Sequence, residues 1–302
     1  MSVVKNYLSL IKFSHTIFAM PFALIGFSLG IYKLATINLD LSQDIGIEDL
    51  LNRNPWVLLL LVVLCMVFAR SAAMAFNRYL DRQFDAKNPR TAIREIPAGI
   101  LKADSVLLFT IFCGVAFVAT TWFINPLCFY LSPVALVVVL GYSYTKRFTA
   151  LCHLVLGVGL SLAPIGAYLA VTGVFDWLPL LFSFTVICWV SGFDIIYALQ
   201  DEEFDKNNQL HSIPAALGKV RALIVSRSLH MLSAGFVIGA GLLGDFTFIY
   251  WIGVAVFVGM LVYQHSIVKP TDLRRVNIAF MTANGIASVV FAVFVIADIF
   301  FG

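Results

Sequence analysis

The chain is organised around the stretch from Asn77 to Pro97, NRYLDRQFDAKNPRTAIREIP. It follows a long apolar run and places Asn77, Asp81 and Asp85 at intervals of four residues. Residues four apart share one face of a helix, so an amide oxygen and two carboxylates are expected in a row at one helix end. Arginines and lysines surround them. We interpret the segment as one that holds divalent metal ions, which in turn hold a phosphorylated substrate.

The composition is that of a membrane protein. Of the 302 residues, 61% are hydrophobic and only 12% are charged, and the mean hydropathy is +0.93. Soluble domains are about half apolar and about a quarter charged. The net charge of +3 is small, and the bases are not clustered with exposed aromatic residues, so no nucleic-acid partner is expected. The five cysteines form no CxxC pair and are expected to be buried thiols.

Apolar runs of roughly 20 residues, the length that spans a bilayer, predict nine transmembrane helices. They are expected at 16–35, 56–76, 104–123, 126–143, 151–172, 178–198, 222–243, 247–267 and 277–300. With a cytoplasmic N-terminus, every lysine and arginine except Lys33 and Arg53 then falls on the cytoplasmic side, as the positive-inside rule requires. We therefore expect an integral, multi-pass protein of a bacterial inner membrane. No small-residue cleavage site follows the first apolar run, so no removable signal peptide is expected.

A second acidic segment, DIIYALQDEEFDKNNQLHSIP, runs from Asp194 to Pro214. Four predicted spans separate it from the first, so both segments lie at the cytoplasmic face. The predicted fold is an all-α membrane protein whose nine transmembrane helices surround a central cavity open to that side. The oxygen ligands expected to hold Mg²⁺ there are Asn77, Asp81, Asp85, Asp201 and Asp205. Taken singly, either motif is also compatible with solvated loop carboxylates paired with nearby arginines.

Several bases near these helix ends are candidates for binding a diphosphate, because arginine offers forked contacts and lysine a point charge. They are Lys12, Arg82, Arg94, Lys146 and Arg147. Lys146 and Arg147 are the only charges between the fourth and fifth predicted spans, where anchoring of the topology is the alternative interpretation.

Other polar residues are expected deeper in the helices. Arg70 lies seven residues before Asn77, and it is either part of a structural ion pair or a ligand for a substrate carboxylate. Asp194 lies about two turns deeper than Asp201 and is expected to pair with Tyr142 or Tyr197, or to accept a proton. The five histidines have no metal-ligand spacing and are expected to be structural. The chain has no Gly-rich phosphate loop and no GxSxG motif, so its chemistry must depend on metal ions and electrostatics.

Three motifs resemble those of the UbiA superfamily of intramembrane aromatic prenyltransferases. Residues 77–99 resemble its NDxxDxxxD signature, DIIYALQDEEFD is similar to its DxxYxxxDxxxD motif, and YSYTKR (142–147) is similar to its Tyr-x-x-x-Lys loop. The resemblance covers the chain as one domain, 1–302, and is closest to the 4-hydroxybenzoate polyprenyltransferase branch of quinone biosynthesis. It implies Mg²⁺-dependent transfer of a polyprenyl group from its diphosphate to a small aromatic acid. Lys146 would contact the diphosphate, while Tyr142 and Asp194 would stand near the acceptor.

The chain departs from that pattern at three positions. Arg78 replaces an acid, Lys12 stands where an arginine is common, and His211 stands where a lysine is common. These departures resemble members of the alternative menaquinone route that prenylate a dihydroxynaphthoate, so the acceptor stays open. A cation-coupled transporter would instead need carboxylates near the membrane midplane on broken helices. A phosphatidyl-type transferase would need another acidic signature, with a DG pair near its start.

Overall fold

The computed structural model describes residues 3–12, 18–40 and 54–302, and these are predominantly helical. The long helices are α2 (Met20–Asp40), α3 (Pro55–Leu80), α5 (Ala103–Trp122), α6 (Pro126–Thr145), α7 (Cys152–Thr172), α8 (Trp177–Ala198), α10 (Ile213–Leu243), α11 (Phe248–Ile267) and α12 (Asn284–Phe301). The short helix α1 (Val3–Leu10) precedes them, and two further short helices, α4 (Arg82–Lys87) and α9 (Glu202–Asn207), lie between them. A 3₁₀ turn (Leu199–Asp201) precedes α9, and a π-helical turn (Ile278–Ala283) precedes α12. The predicted all-α fold class is confirmed.

The membrane-spanning character follows from these helices. Within the described residues, eight helices are long and apolar enough to cross a bilayer, and Met20–Thr36 forms a shorter apolar helix. Together they occupy the positions of the nine predicted spans. The first two residues of the first predicted span, the loop 41–53 with Arg53, and His15 lie outside the described residues.

The helix boundaries follow local sequence signals. Asn54 caps α3 by accepting a hydrogen bond from the Trp56 backbone N–H at 2.9 Å, and Pro55 occupies the first turn. Asn125 caps α6 in the same way by accepting from the Cys128 N–H at 2.8 Å, and Pro126 occupies the first turn. Helix α3 extends four residues beyond its predicted end and carries Asn77 into the site.

Helices α7 and α8 form the centre of the bundle. Helix α8 packs against α7 and α10, and α7 packs against α2. Helix α12 packs against both α2 and α11, and α11 packs against α10, which closes a ring. Helices α3 and α6 pack against each other, and α6 also packs against α7. Small residues allow close approach in a membrane, where lipid is as apolar as the packed side chains. At Gly26, for example, a Cβ atom would lie only 2.0 Å from the Pro164 carbonyl oxygen, so α2 and α7 touch through backbone.

An aromatic core fixes the helices behind the site. The rings of Phe22, Trp189, Phe257 and Phe291 pack with centroids 5.2–6.4 Å apart. Trp189 donates its indole N–H to the Asn284 side-chain oxygen at 2.9 Å, which joins α8 to the start of α12. Helix α8, whose polar end enters the site, is thereby fixed against α2, α11 and α12.

Candidate active site

A cavity of about 580 Å³ lies where the ends of α3, α6 and α8 meet the start of α7. Nearly all the predicted site residues line it: Lys12, Arg70, Asn77, Asp81, Asp85, Arg94, Tyr142, Lys146, Arg147, Asp194, Asp201 and Asp205. Arg82 is not among the lining residues. Its guanidinium donates to the Tyr79 carbonyl at 2.6 Å and lies 4.3 Å from the centre of the Tyr79 ring, so the geometry gives no support to a diphosphate-binding role.

The first acidic motif keeps its predicted face although its helix breaks. Helix α3 ends at Asp81, whose φ and ψ of −89° and 7° depart from the helical range, and α4 begins at the next residue. The Asp81 N–H still donates to the Asn77 carbonyl at 2.9 Å, and the Asp85 N–H donates to the Asp81 carbonyl at 2.8 Å. Asn77 also donates through Nδ2 to Asp81 Oδ2 at 3.1 Å. The three residues therefore remain aligned.

The second motif is built across a tightened turn. Helix α8 gives way to the 3₁₀ turn that ends at Asp201, and α9 then carries Asp205. Both carboxylates are buried, and Asp205 Oδ2 accepts a hydrogen bond from the Ser212 hydroxyl at 2.8 Å. Asp194 lies further back on α8 and lines the same cavity.

Each of the four carboxylates in the two motifs is paired with a base. The pairs are Asp81–Arg147 at 3.3 Å, Asp85–Arg94 at 2.6 Å, Asp205–Lys146 at 2.7 Å, and Asp201–Arg90, in which Arg90 Nε donates to Asp201 Oδ1 at 3.0 Å. All eight side chains line the cavity. The bases thus stand beside the carboxylates, where a metal-bound diphosphate would need cations.

The donor set fits magnesium. Asp85 Oδ2 is buried, and no described residue donates a hydrogen bond to it. Carboxylate and amide oxygens are the ligands that Mg²⁺ prefers, and it is commonly held by one or two carboxylates plus substrate phosphates and water. Within the described ranges, no three acidic, histidine or cysteine side chains converge closely enough to hold a metal by themselves. A metal ion bound here would therefore need oxygens from water or from a bound ligand to complete its coordination shell.

Electrostatics at the mouth of the cavity agree with this arrangement. Burial and the neighbouring Asp85 carboxylate raise the pKa of Asp81 to about 6, against the opposing effect of Arg147 and Lys146. For Lys146, burial favours the neutral amine, but the Asp205 carboxylate outweighs it and raises the pKa above its ordinary value. Lys146 is therefore a cation at neutral pH, and Asp81 lies in a position where a bound cation would favour its ionised form.

Sequence reasoning left two residues of the first loop without a role. Arg90 binds Asp201 and also donates through Nη1 to the Tyr197 hydroxyl at 2.9 Å, while Asn88 Nδ2 donates to Asp201 Oδ1 at 3.2 Å. These contacts join the two acidic motifs directly. Arg90 lies in the quoted opening stretch, but the segment after α4 is a series of turns, so helical spacing could not assign its partner.

The structure corrects the expected tyrosine pairing of Asp194 and locates two of the departures from the family pattern. Asp194 pairs with neither Tyr142 nor Tyr197: its Oδ2 lies 2.6 Å from Nδ1 of His153, one of the histidines expected to be only structural. Arg78, which stands where the family signature has an acid, is buried and lines the cavity. His211 is exposed and is not among the lining residues, so this departure from the signature lies outside the cavity.

Arg70 lies where the polar cavity adjoins a second, apolar one. Nε of Arg70 is buried and finds no hydrogen-bond partner among the described residues. The second cavity, of about 390 Å³, is bounded by α3, α5, α6 and α7. Both cavities are lined by Arg70, Met74, Tyr142, Leu156 and Leu160. The arrangement places a guanidinium with an unpartnered Nε beside the aromatic ring of Tyr142, next to the apolar cavity.

Comparisons with known proteins agree with the geometry. A 4-hydroxybenzoate octaprenyltransferase from Nitrosospira multiformis is 30% identical over 237 residues, covering 78% of this chain and 81% of the relative. The corresponding enzyme from Tolumonas auensis is 31% identical over 238 residues, covering 78% and 82%.

Solved structures show the same fold. A UbiA homolog from Aeropyrum pernix superposes with a TM-score of 0.75 at 25% identity, covering 95% of this chain and 97% of that one. A homolog from Archaeoglobus fulgidus, solved bound to GPP and Mg²⁺, superposes with a TM-score of 0.73 at 18% identity, covering 97% and 99%. The model of the UbiA prenyltransferase family matches residues 51–286. The chain is therefore a membrane-embedded member of the UbiA prenyltransferase family.

Proposed function

We propose that this protein transfers a polyprenyl group from polyprenyl diphosphate to a small aromatic acid of the 4-hydroxybenzoate type, with Mg²⁺ as cofactor, in quinone biosynthesis. The observation that carries the proposal is the set of four carboxylates from two motifs, each paired with a base, in a single cavity. The catalytic unit is a single domain over residues 1–302. We place its N-terminus and cavity mouth on the cytoplasmic side, because the lysines and arginines concentrate there.

The diphosphate end of the substrate would bind between the two motifs. The ligands available for Mg²⁺ are Asn77, Asp81, Asp85, Asp201 and Asp205. When bound, the ion supplies Lewis-acid stabilisation of the leaving diphosphate. Arg90, Arg94, Lys146 and Arg147 are released from their carboxylates and bind the phosphate oxygens, and Lys12, which also lines the cavity, adds a further cation. These groups stabilise the charge that develops as the allylic C–O bond breaks.

The acceptor would lie deeper, beside the apolar cavity. Arg70 binds its carboxylate, since a buried guanidinium nitrogen without a protein partner is costly. The prenyl tail extends into the apolar cavity, which keeps water away from the cation-like allylic carbon. The bond to diphosphate breaks with its electron pair, and a π pair of the acceptor ring forms the new C–C bond. Asp194 then accepts the ring proton, and Tyr142 packs beside the ring.

The proposal is tested with purified protein in lipid, Mg²⁺, geranyl diphosphate and a panel of aromatic acids, with products detected by mass spectrometry. We expect a C-prenylated product, and we expect Asp81→Ala and Asp201→Ala to lower turnover at least 100-fold, as loss of a metal ligand should. Asp104→Ala is the matched control, because Asp104 is exposed at the start of α5 on the same side of the membrane and does not line the cavity. Full activity of both cavity variants would refute the site.

The same panel decides the acceptor. Hydroxybenzoate as the preferred acceptor supports the assignment made here. Prenylation of a dihydroxynaphthoate with little or none of hydroxybenzoate would instead place the enzyme in a menaquinone route, with the same metal and diphosphate chemistry. No product with any aromatic acid, from protein that still binds geranyl diphosphate, would contradict the aromatic-acceptor proposal.

A further inference from the structure

His153 is held on both sides by groups whose hydrogen-bonding roles are fixed. Its Nδ1 lies 2.6 Å from Asp194 Oδ2, and its Nε2 lies 3.3 Å from the backbone nitrogen of Ile213. Both side chains line the cavity, but the imidazole is only 3% exposed, whereas the Asp194 side chain is 24% exposed. The imidazole therefore lies behind the carboxylate.

These contacts determine where the imidazole proton resides. A backbone N–H can only donate, so Nε2 of His153 must be the acceptor and carries no proton. The single proton of the neutral ring is then on Nδ1, from which it is donated to Asp194 Oδ2. The hydrogen bond of Asp194 within the described residues uses Oδ2, so Oδ1 is the oxygen left for a substrate in the cavity. Asp194 is therefore an anion in which Oδ2 accepts the hydrogen bond from His153 and Oδ1 can accept one from a substrate.

The position of His153 in the fold fits this use. It lies in the first turn of α7, Asp194 is on α8, and Ile213 begins α10, so the ring joins three helices at the cavity wall. If His153 only linked the three helices, any side chain that filled the same space and bridged them would serve. Here the partner is the carboxylate that the proposed chemistry needs in one ionisation state and one orientation.

We propose that His153 is a positioning residue that orients Asp194 and keeps it ionised, so that Asp194 Oδ1 accepts the proton lost by the prenylated acceptor ring. This inference rests on the proposed function. After the new C–C bond forms, the ring C–H bond at that carbon breaks and its electron pair restores aromaticity. The proton moves to Asp194 Oδ1, giving a neutral carboxylic acid, and is then released to water in the cavity. His153 itself neither gains nor loses a proton.

The test compares two substitutions of the same residue. Glutamine carries a donor NH₂ and an acceptor oxygen, so His153→Gln can still donate to Asp194 and accept from Ile213. His153→Leu fills similar space but can do neither. Ser191→Ala is the control, because Ser191 donates to the backbone carbonyl of His153 without touching its ring. Measured quantities are kcat, KM for geranyl diphosphate and for the acceptor, the melting temperature, and the isotope effect with a ring-deuterated acceptor.

We expect kcat of His153→Leu to fall about 10- to 100-fold, the effect of losing one hydrogen bond to a charged group, with KM for geranyl diphosphate unchanged. A primary deuterium isotope effect should appear or grow, because proton removal becomes slower. His153→Gln should stay within about threefold of the wild type, a margin worth less than the loss of one such hydrogen bond.

Three results would overturn the inference: unchanged kcat in His153→Leu, equal losses in the glutamine and leucine variants, or a kcat loss with no change in the isotope effect. Wild-type protein that forms no product refutes the proposed function instead. In that case the ring of His153 is examined in the wild-type protein by its ¹⁵N chemical shifts, and His153→Leu identifies the His153 signals because they are absent from its spectrum. A neutral ring protonated at Nδ1 agrees with the contacts, and protonation at Nε2 contradicts them.

Discussion

Replacing Arg94 by leucine tests how the site stays stable before its ligands bind. Arg94 Nη1 lies 2.6 Å from Asp85 Oδ1, and the two side chains are 22% and 8% exposed. Removing one partner of a buried pair leaves an uncompensated charge and costs about 3–5 kcal/mol. Because Arg94 keeps some contact with water, we take about 3 kcal/mol for Arg94→Leu. With about 2–4 °C per kcal/mol for a large domain, the melting temperature should fall by roughly 6–12 °C.

Magnesium should reverse much of that loss. In the variant the Asp85 carboxylate is free to bind an ion, whereas in the wild type the ion must displace Arg94. Saturation at 100 times the dissociation constant stabilises by about 2.7 kcal/mol. The rise in melting temperature on adding Mg²⁺ should therefore be larger in Arg94→Leu than in the wild type. Thermal unfolding in detergent, followed by tryptophan fluorescence with Mg²⁺ and with EDTA, measures both effects.

Two further variants test whether the loss of stability comes from the unpaired Asp85 carboxylate. Adding Asp85→Asn to Arg94→Leu removes the uncompensated charge and should recover most of the lost stability, while abolishing the response to Mg²⁺. Lys87→Leu removes an exposed base from α4, the short helix that carries Asp85. It should change the free energy of unfolding by less than about 0.5 kcal/mol. The reasoning fails if Arg94→Leu melts like Lys87→Leu, or if Asp85→Asn gives no recovery.

Three other predictions concern the acceptor, the packing and the prenyl tail. Arg70→Leu should raise KM for the aromatic acid at least tenfold, because a charge-assisted hydrogen bond to the acceptor carboxylate is lost. KM for geranyl diphosphate should not change. An unaltered KM for the aromatic acid would exclude Arg70 as the carboxylate ligand. Gly26→Ala should destabilise the fold by about 1–3 kcal/mol in thermal unfolding because its Cβ would overlap the Pro164 carbonyl, whereas Gly166→Ala, with nothing within 4 Å, should not; equal melting would contradict the packing. Ala163→Phe places a ring in the apolar cavity and should lower turnover of long polyprenyl diphosphates more than that of geranyl diphosphate; equal effects on both would show that the tail lies elsewhere.

Much of the fold follows from the sequence because each long apolar run can satisfy its backbone in a membrane only as a helix. The Asn-Pro pairs at Asn54 and Asn125 mark helix starts for local reasons, through a side-chain cap and a proline in the first turn. The four-residue spacing of Asn77, Asp81 and Asp85 is likewise a local property. The alignment survives the helix break at Asp81 because the backbone N–H groups of Asp81 and Asp85 still donate to the carbonyls four residues earlier, those of Asn77 and Asp81.

The contacts that complete the site are non-local, and spacing does not encode them. Arg90 donates to Asp201, which is more than one hundred residues away in the sequence. Because Arg90 lies in a series of turns, helical spacing cannot predict its partner. His153 was expected to be structural because the histidines show no metal-ligand spacing, yet the packing of α7 on α8 brings it to Asp194. Arg82 was expected in the site because of its nearness to Asp81 and Asp85, but it packs on Tyr79.

The central claim is that metal and diphosphate meet between the two acidic motifs and that an aromatic carbon displaces the diphosphate. The most direct measurement is a single turnover with enzyme in excess over geranyl diphosphate, in lipid, with 4-hydroxybenzoate present. Prenylated acid and released diphosphate should appear together in equal amounts with Mg²⁺, and neither should appear with EDTA or in the Asp201→Asn variant. Equal product with and without the metal, or diphosphate released without a new carbon–carbon bond, would contradict the account.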